Sequence, residues 1–350
     1  MNTLVRRVVI AMAILGFLNP VHLWAQSRPM AEFGKSVQFD KSWPNPSLLK
    51  LKGKAVLVVF FQSWCGICNG WAPDFIKQME AAHGDNRSLV MIAIKTDGGG
   101  LSAATEYFKS KGADMDKWYI GSDKDAAFYL QLVAKTGLWQ CTIVGADGNI
   151  VRGDGAGAKW ASGPNSGQYA LANSTLLEGC GTLGTVLPAD KVYPSELNQI
   201  VRLVELRSFG KALSMCASGS ARIKDKEALK ALKQDILGVA DAYAKARLDI
   251  LKGAGDGRYD AYKELSAMAP ELRDFPVGRE VNAVLVKLEK DPAIQKEKMA
   301  QGTYWVLRPK LKKAAETARP KIVEEMKLAA EKYKGTTYGI FLARPDLQAP

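Results

Sequence analysis

Five cysteines punctuate the 350-residue chain, and two of them stand three residues apart in Trp64-Cys65-Gly66-Ile67-Cys68. Two thiols at that spacing can cycle between dithiol and disulfide, one attacking as a thiolate and the other resolving the mixed disulfide. The chemistry calls for a strand-to-helix junction, where free backbone N–H groups and the helix dipole favour a negative sulfur on the first cysteine. One turn further on, the second cysteine comes within bonding reach. Cys65 is therefore the expected nucleophile and Cys68 the resolver, with Trp64, Gly66 and Ile67 at the rim.

The same pair admits two other readings, a permanent disulfide and half of a zinc site. Zinc would need two further ligands, and beyond residue 25 the chain holds one histidine, His83. That residue sits where a helix C-terminus or a surface position is expected. Cys141 is a small buried hydrophobe or a third thiol. Cys180 and Cys216 flank a Gly-rich stretch and could form a structural disulfide across it. The triple glycine at 98–100 lacks the Lys-Ser/Thr of a phosphate loop and is expected to be a flexible turn.

The elements that must position the pair are legible around it. Residues 55–61 form an apolar run suited to a buried parallel strand, and 67–82 carry Trp71, Phe75, Ile76 and Met79 at helical spacing. A second buried strand is expected at 88–94, helices at 102–111 and 125–135, and an Asp147-Gly148 hairpin joining 142–144 to 150–152. Strand, helix, strand, helix, hairpin implies a mixed α/β sheet with crossover helices. Trp118, Tyr119, Trp160, Tyr304 and Trp305 are expected in a core or a domain interface.

Two folded units suit this length, and 47% hydrophobic with 24% charged residues excludes wholesale disorder. Residues 1–25 have the order of a signal peptide: Arg6-Arg7, an apolar run over 8–18, Pro20, then Leu23-Trp24-Ala25. A first domain is expected over 26–182, a linker over 183–194 and an all-α domain over 195–350, a bundle or an irregular helical repeat. Its helices are expected at 195–216, 225–252, 257–268, 277–290, 293–317 and 320–334. The formal charge is +12, concentrated in this part, where 29 basic face 21 acidic residues from 196 to 350. Acids and bases alternate at helical spacing, as in Lys224-Asp225-Lys226-Glu227, the pattern of solvated helix faces rather than of a nucleic-acid site.

Val56-Leu57-Val58-Val59-Phe60-Phe61-Gln62-Ser63-Trp64-Cys65-Gly66-Ile67-Cys68, with Pro73 five residues after the second cysteine, resembles the thioredoxin superfamily. The likeness is greatest to its exported thiol-disulfide oxidoreductase branch and covers about residues 35–155. It implies an α/β thioredoxin-like fold, with Gly137-Leu138 and Asp147-Gly148 falling where the family has its Gly-Val-Pro-Thr segment and final hairpin. Two positions depart from the pattern. Trp139, or Cys141 if the loop slips by two, stands in the place of the family's cis-proline, and Val59 replaces the buried acid of some members.

The expected function is that of an exported, periplasmic thiol-disulfide oxidoreductase acting on protein disulfides or dithiols, with a redox partner the sequence does not name. It needs no cofactor, because the cysteines carry the electrons. Membrane contact is expected only if the N-terminal segment stays uncleaved. The rival is a redox-silent thioredoxin-fold binding or scaffold protein with a structural disulfide, and a third reading is a polyanion binder acting through the basic helices.

Overall fold

A computed structural model describes residues 28–29, 32–33, 37–40, 43–132, 140–153, 172–219, 222–253 and 257–344. The expected leader, Trp139 and Trp160 lie outside these residues.

Seven strands form one sheet: β1 (Arg28–Pro29), β2 (Val37–Phe39), β3 (Ala55–Phe61), β4 (Leu89–Lys95), β5 (Trp118–Asp123), β6 (Gln140–Val144) and β7 (Asn149–Gly153). Their spatial order is β1-β7-β6-β3-β4-β5-β2. Strands β3, β4 and β5 run parallel, and the outer pairings are antiparallel. Parallel neighbours need crossovers. These are α1 (Gly66–His83), between β3 and β4, and α2 (Gly100–Ser110), between β4 and β5. A short α3 (Ala127–Leu132) follows β5.

Every residue of β3 is buried, as the unbroken apolar run requires of a central strand covered on both faces. Ala55, Leu57, Val59 and Phe61 face one core, with Phe75, Ile76 and Met79 of α1 and Ala104 and Phe108 of α2. Val56, Val58 and Phe60 face the other, with Trp43, Phe128 and Tyr129. The hairpin turns at Gly148, whose φ of 80° suits glycine, and Asp147 Oδ1 accepts the Asn149 N–H at 2.9 Å.

Among the described residues the C-terminal part holds eight α-helices: α4 (Asn198–Glu205), α5 (Phe209–Ser218), α6 (Lys226–Lys252), α7 (Arg258–Met268), α8 (Gly278–Leu288), α9 (Pro292–Lys313), α10 (Arg319–Lys332) and α11 (Thr337–Leu342). They share one apolar core running from Leu187 to Leu342. The single helix expected over 195–216 is in fact two. At the break, Arg207 adopts φ 53° and its guanidinium reaches back to the Lys50 and Lys52 carbonyls. A tertiary contact overrides local helix propensity here. Asp225 and Asp291 cap α6 and α9 through their side chains.

The helical domain docks against the loop that enters β3. Lys50 pairs with Glu271 at 3.1 Å, Lys52 with Glu264 at 3.0 Å and Lys54 with Glu205 at 2.6 Å. Lys50 and Lys54 are fully buried. Burial pushes Lys54 down to about 8, against the opposing pull of Glu205. Arg202 donates to the Tyr119 hydroxyl at 3.2 Å. The expected linker, 183–194, is pinned on both sides: Gly184 N–H donates to the Gly53 carbonyl, the Val186 and Leu187 N–H groups donate to Glu205, and Leu187 packs into the helical core.

Candidate functional site

Strand β3 ends at Phe61, and a short turn leads to Cys65, which caps α1 in an extended conformation with φ −71° and ψ 97°. Its Sγ accepts the Cys68 N–H at 3.2 Å, so a sulfur fills the place of a capping oxygen at the helix N-terminus. Cys65 and Cys68 are disulfide-bonded, with their Cα atoms 5.2 Å apart. Gly66 and Ile67 make the first turn of α1, and Pro73 lies inside that helix. Proline there removes the N–H that would reach the Asn69 carbonyl.

The expected nucleophile is buried. Cys65 is 2% and Cys68 1% exposed, whereas Trp64 beside them is 67% exposed. Attack on or by Cys65 therefore requires the surroundings of the sulfur to open.

Cys65, Cys68 and Cys141 belong to the same core. Cys141 pairs with Val59 across β3 and β6, which puts its side chain on the face that carries α1. Val59 itself is fully buried among apolar neighbours. Cys180 and Cys216 are free and buried in different cores, Cys180 with the sheet and Cys216 with the helices. The bridge that the two could have formed is absent, and each thiol serves its own domain as a small apolar side chain. Burial, with Asp147 nearby, pushes the Cys180 thiol up to about 11, and burial raises Cys216 as well. His83 is buried at the far end of α1, its Nε2 2.7 Å from Asn173 Oδ1. Fifteen residues of helix place it about 22 Å from Cys68 along the axis, beyond any shared metal site.

The sequence left unassigned a polar cluster just before the pair. Ser63 donates its N–H and its hydroxyl to Asp97 Oδ2, at 2.8 and 2.7 Å. Asp97 Oδ1 accepts from the Lys95 ammonium, which also donates to the Gly98 carbonyl at 2.5 Å. Burial works against the Asp97 carboxylate, but the hydrogen bonds from Lys95 and Ser63 hold it below its ordinary range. Asn69 Nδ2 donates to the Ser63 carbonyl at 3.3 Å. The available signal was Lys95-Thr96-Asp97, charged residues following directly on a buried strand.

A central β3-β4-β5 parallel set, antiparallel β6 and β7 beside β3, and a disulfide-bonded cysteine pair at the β3–α1 junction together decide the fold. This domain is thioredoxin-like. No protein-family model and no curated protein matches the chain. Among solved structures, 43 chains match. One is a disulfide-isomerase candidate from Bacteroides thetaiotaomicron, 24% identical, with 43% of this chain and 90% of that one covered and a TM-score of 0.34. Another is a thiol:disulfide interchange protein from Bacteroides sp., at 18% identity, 45% and 95% coverage and a TM-score of 0.33. A third is a secreted Mycobacterium tuberculosis disulfide oxidoreductase, at 17% identity, 35% and 84% coverage and a TM-score of 0.28. Each likeness spans less than half of this chain.

The helical domain stands away from the site. Lys50, Lys52, Lys54, Arg87 and Tyr119 all lie at or before the N-terminal ends of β3, β4 and β5, whereas Cys65 follows the C-terminal end of β3. Seven residues of strand, about 23 Å, separate the two ends.

Proposed function

We propose that the protein is an exported thiol-disulfide oxidoreductase whose thioredoxin-like domain exchanges disulfides with protein substrates through Cys65 and Cys68. The observation that carries this reading is the Cys65 sulfur at the N-terminus of α1, bonded to Cys68 one turn on. In the reducing direction the Cys65 thiolate attacks a substrate disulfide, forms a Cys65–substrate bond and expels the second substrate sulfur as a thiolate. Cys68 then loses its proton and attacks Cys65 Sγ. The Cys65–Cys68 bond closes, the first substrate sulfur leaves as a thiolate, and two electrons have passed to the substrate. Oxidation of a substrate dithiol is the reverse, and the reduction potential sets the direction. The electrons reside on sulfur throughout, so the reaction asks for no further cofactor.

Export is supported by the leader-like pattern of residues 1–25. No helix among the described residues is long and apolar enough to cross a membrane. The helical domain packs at the opposite end of the sheet, and Trp64 beside the pair is exposed.

The reading is tested by mixed-disulfide trapping in the full chain. Cys68→Ser removes the resolver, and substrate proteins accumulate covalently on Cys65, visible by non-reducing electrophoresis and released by dithiothreitol. Cys65→Ser traps nothing. Absence of adducts on Cys68→Ser would overturn exchange in favour of a scaffold with a structural disulfide.

A further inference from the structure

We propose that Lys95 and Asp97 are positioning residues for the Cys65–Cys68 couple: the carboxylate fixes the turn that carries Cys65, and the two opposite charges together set how readily Cys65 ionises. The inference rests on the exchange reading above and adds to it the control of the nucleophile.

The turn from Gln62 to Asn69 is held at a few points. Asp97 Oδ2 takes both hydrogens that Ser63 offers, the Ser63 carbonyl accepts from Asn69, and the Cys65 N–H donates to the Gln62 carbonyl at 3.3 Å. Trp64, between the anchored Ser63 and Cys65, is largely in solvent. Ser63 is therefore the point from which Cys65 is placed on the end of α1, and Asp97 holds Ser63.

The anchor does not need to be charged. An asparagine oxygen would accept the same two hydrogens without the desolvation that a buried carboxylate and ammonium suffer. Lys95 is buried nonetheless, and the Asp97 side chain is mostly covered. What the ion pair supplies beyond an anchor is a balanced field beside the cysteine. Two peptide units separate Ser63 from Cys65, at most about 7 Å between Cα atoms, which puts both charges on the order of 10 Å from the Cys65 sulfur. At an effective dielectric of about 20, one uncompensated charge at that distance shifts a thiol by about one pH unit, tenfold in thiolate population.

Other titratable groups pack around the pair. Tyr107 of α2 stacks on Phe61 with ring centroids 4.8 Å apart, and its hydroxyl is buried with no hydrogen-bond partner among the described residues. Burial, with Asp97 nearby, pushes that phenol up to about 12, so it stays neutral across the working range. Among the described residues, Cys68 on α1, Cys141 on β6 and Cys180 also lie in this core. Lys95 and Asp97 carry the fixed charge.

The test reads the thiolate absorbance near 240 nm of the fully reduced full-length protein against pH, with Cys65→Ser as the blank. Asp97→Asn keeps the acceptor, leaves Lys95 uncompensated, and lowers the Cys65 pKa by about one unit. Lys95→Met leaves the carboxylate uncompensated and raises it by about one unit, while Lys95→Arg keeps it within about 0.3 units of wild type. Shifts in the same direction from Asp97→Asn and Lys95→Met, or shifts below about 0.3 units in both, overturn the proposal. If Lys95→Met fails to fold by near-ultraviolet circular dichroism, Asp97→Asn alone and in combination with Lys95→Met decides. A lowered pKa only while Lys95 is present supports the pair, and equal values overturn it. These shifts are read on reduced protein, so they stand separately from the trapping experiment. Absent adducts with opposite pKa shifts would refute exchange and leave the charge pair intact.

Discussion

The two ends of the central sheet solve different problems with the same residue types. At the C-terminal ends of β3 and β4, Lys95 and Asp97 form a small charged clamp beside a disulfide. At the N-terminal ends, Lys50, Lys52 and Lys54 enter pairs with Glu271, Glu264 and Glu205 that bind one domain to another. A buried ion pair is poor evidence of net stability, because desolvation offsets the attraction, yet breaking one leaves an uncompensated charge. The first end uses that sensitivity to adjust a sulfur, and the second uses it to fix the register between domains.

The contrast breaks most sharply at Glu205, which serves Lys54 and the Val186 and Leu187 N–H groups together. Glu205→Leu is expected to destabilise the protein by about 3–5 kcal/mol in urea denaturation. It should move the Cys65–Cys68 potential by less than about 10 mV, well under 1 kcal/mol for a two-electron couple. A large change in potential would mean that the ends communicate.

A smaller effect comes from the proton on Lys54. Unfolded, this lysine keeps its proton to about pH 10, and folded it releases it near 8. Between those limits the unfolded chain binds more protons, so the fold gains stability as pH rises; below about 8 the penalty of the buried ammonium is fully present. Wild type should gain up to about 1.4 kcal/mol per pH unit relative to Lys54→Met between about pH 8 and 10, measured by denaturation at each pH. Parallel profiles would show that Lys54 keeps its proton when buried.

The smallest change is expected at Cys180 and Cys216, whose thiols lie in separate cores. Alkylation of the denatured, unreduced chain should label three thiols, at Cys141, Cys180 and Cys216. A single label would show that Cys180 and Cys216 bridge after all, and that the domain contact is covalent as well as ionic.

Local patterns carried most of what the sequence revealed. The apolar run of β3, the Cys65–Cys68 spacing, Pro73 and the Asp147-Gly148 turn each specify structure over a few residues, and all lie where they were expected. Strand β5 was missed, although Trp118-Tyr119-Ile120 is aromatic and β-branched, because its burial comes from β4, α2 and β2 rather than from any pattern of its own. The break at Arg207 was invisible for the same kind of reason, since its partners are 155 and 157 residues away. Ser63 and Asp97 meet across 34 residues, so neither looks functional alone. The burial of Cys65 was likewise missed, because the cover over a sulfur is assembled by the fold.

The reduction potential of Cys65–Cys68 in the full chain, by equilibrium thiol trapping against glutathione and dithiothreitol buffers with Cys65→Ser as control, tests the central claim most directly. A reversible couple between about −300 and −100 mV, lost in the control, is the expected result. A pair that stays oxidised well below about −300 mV would contradict it and make the bond a structural one.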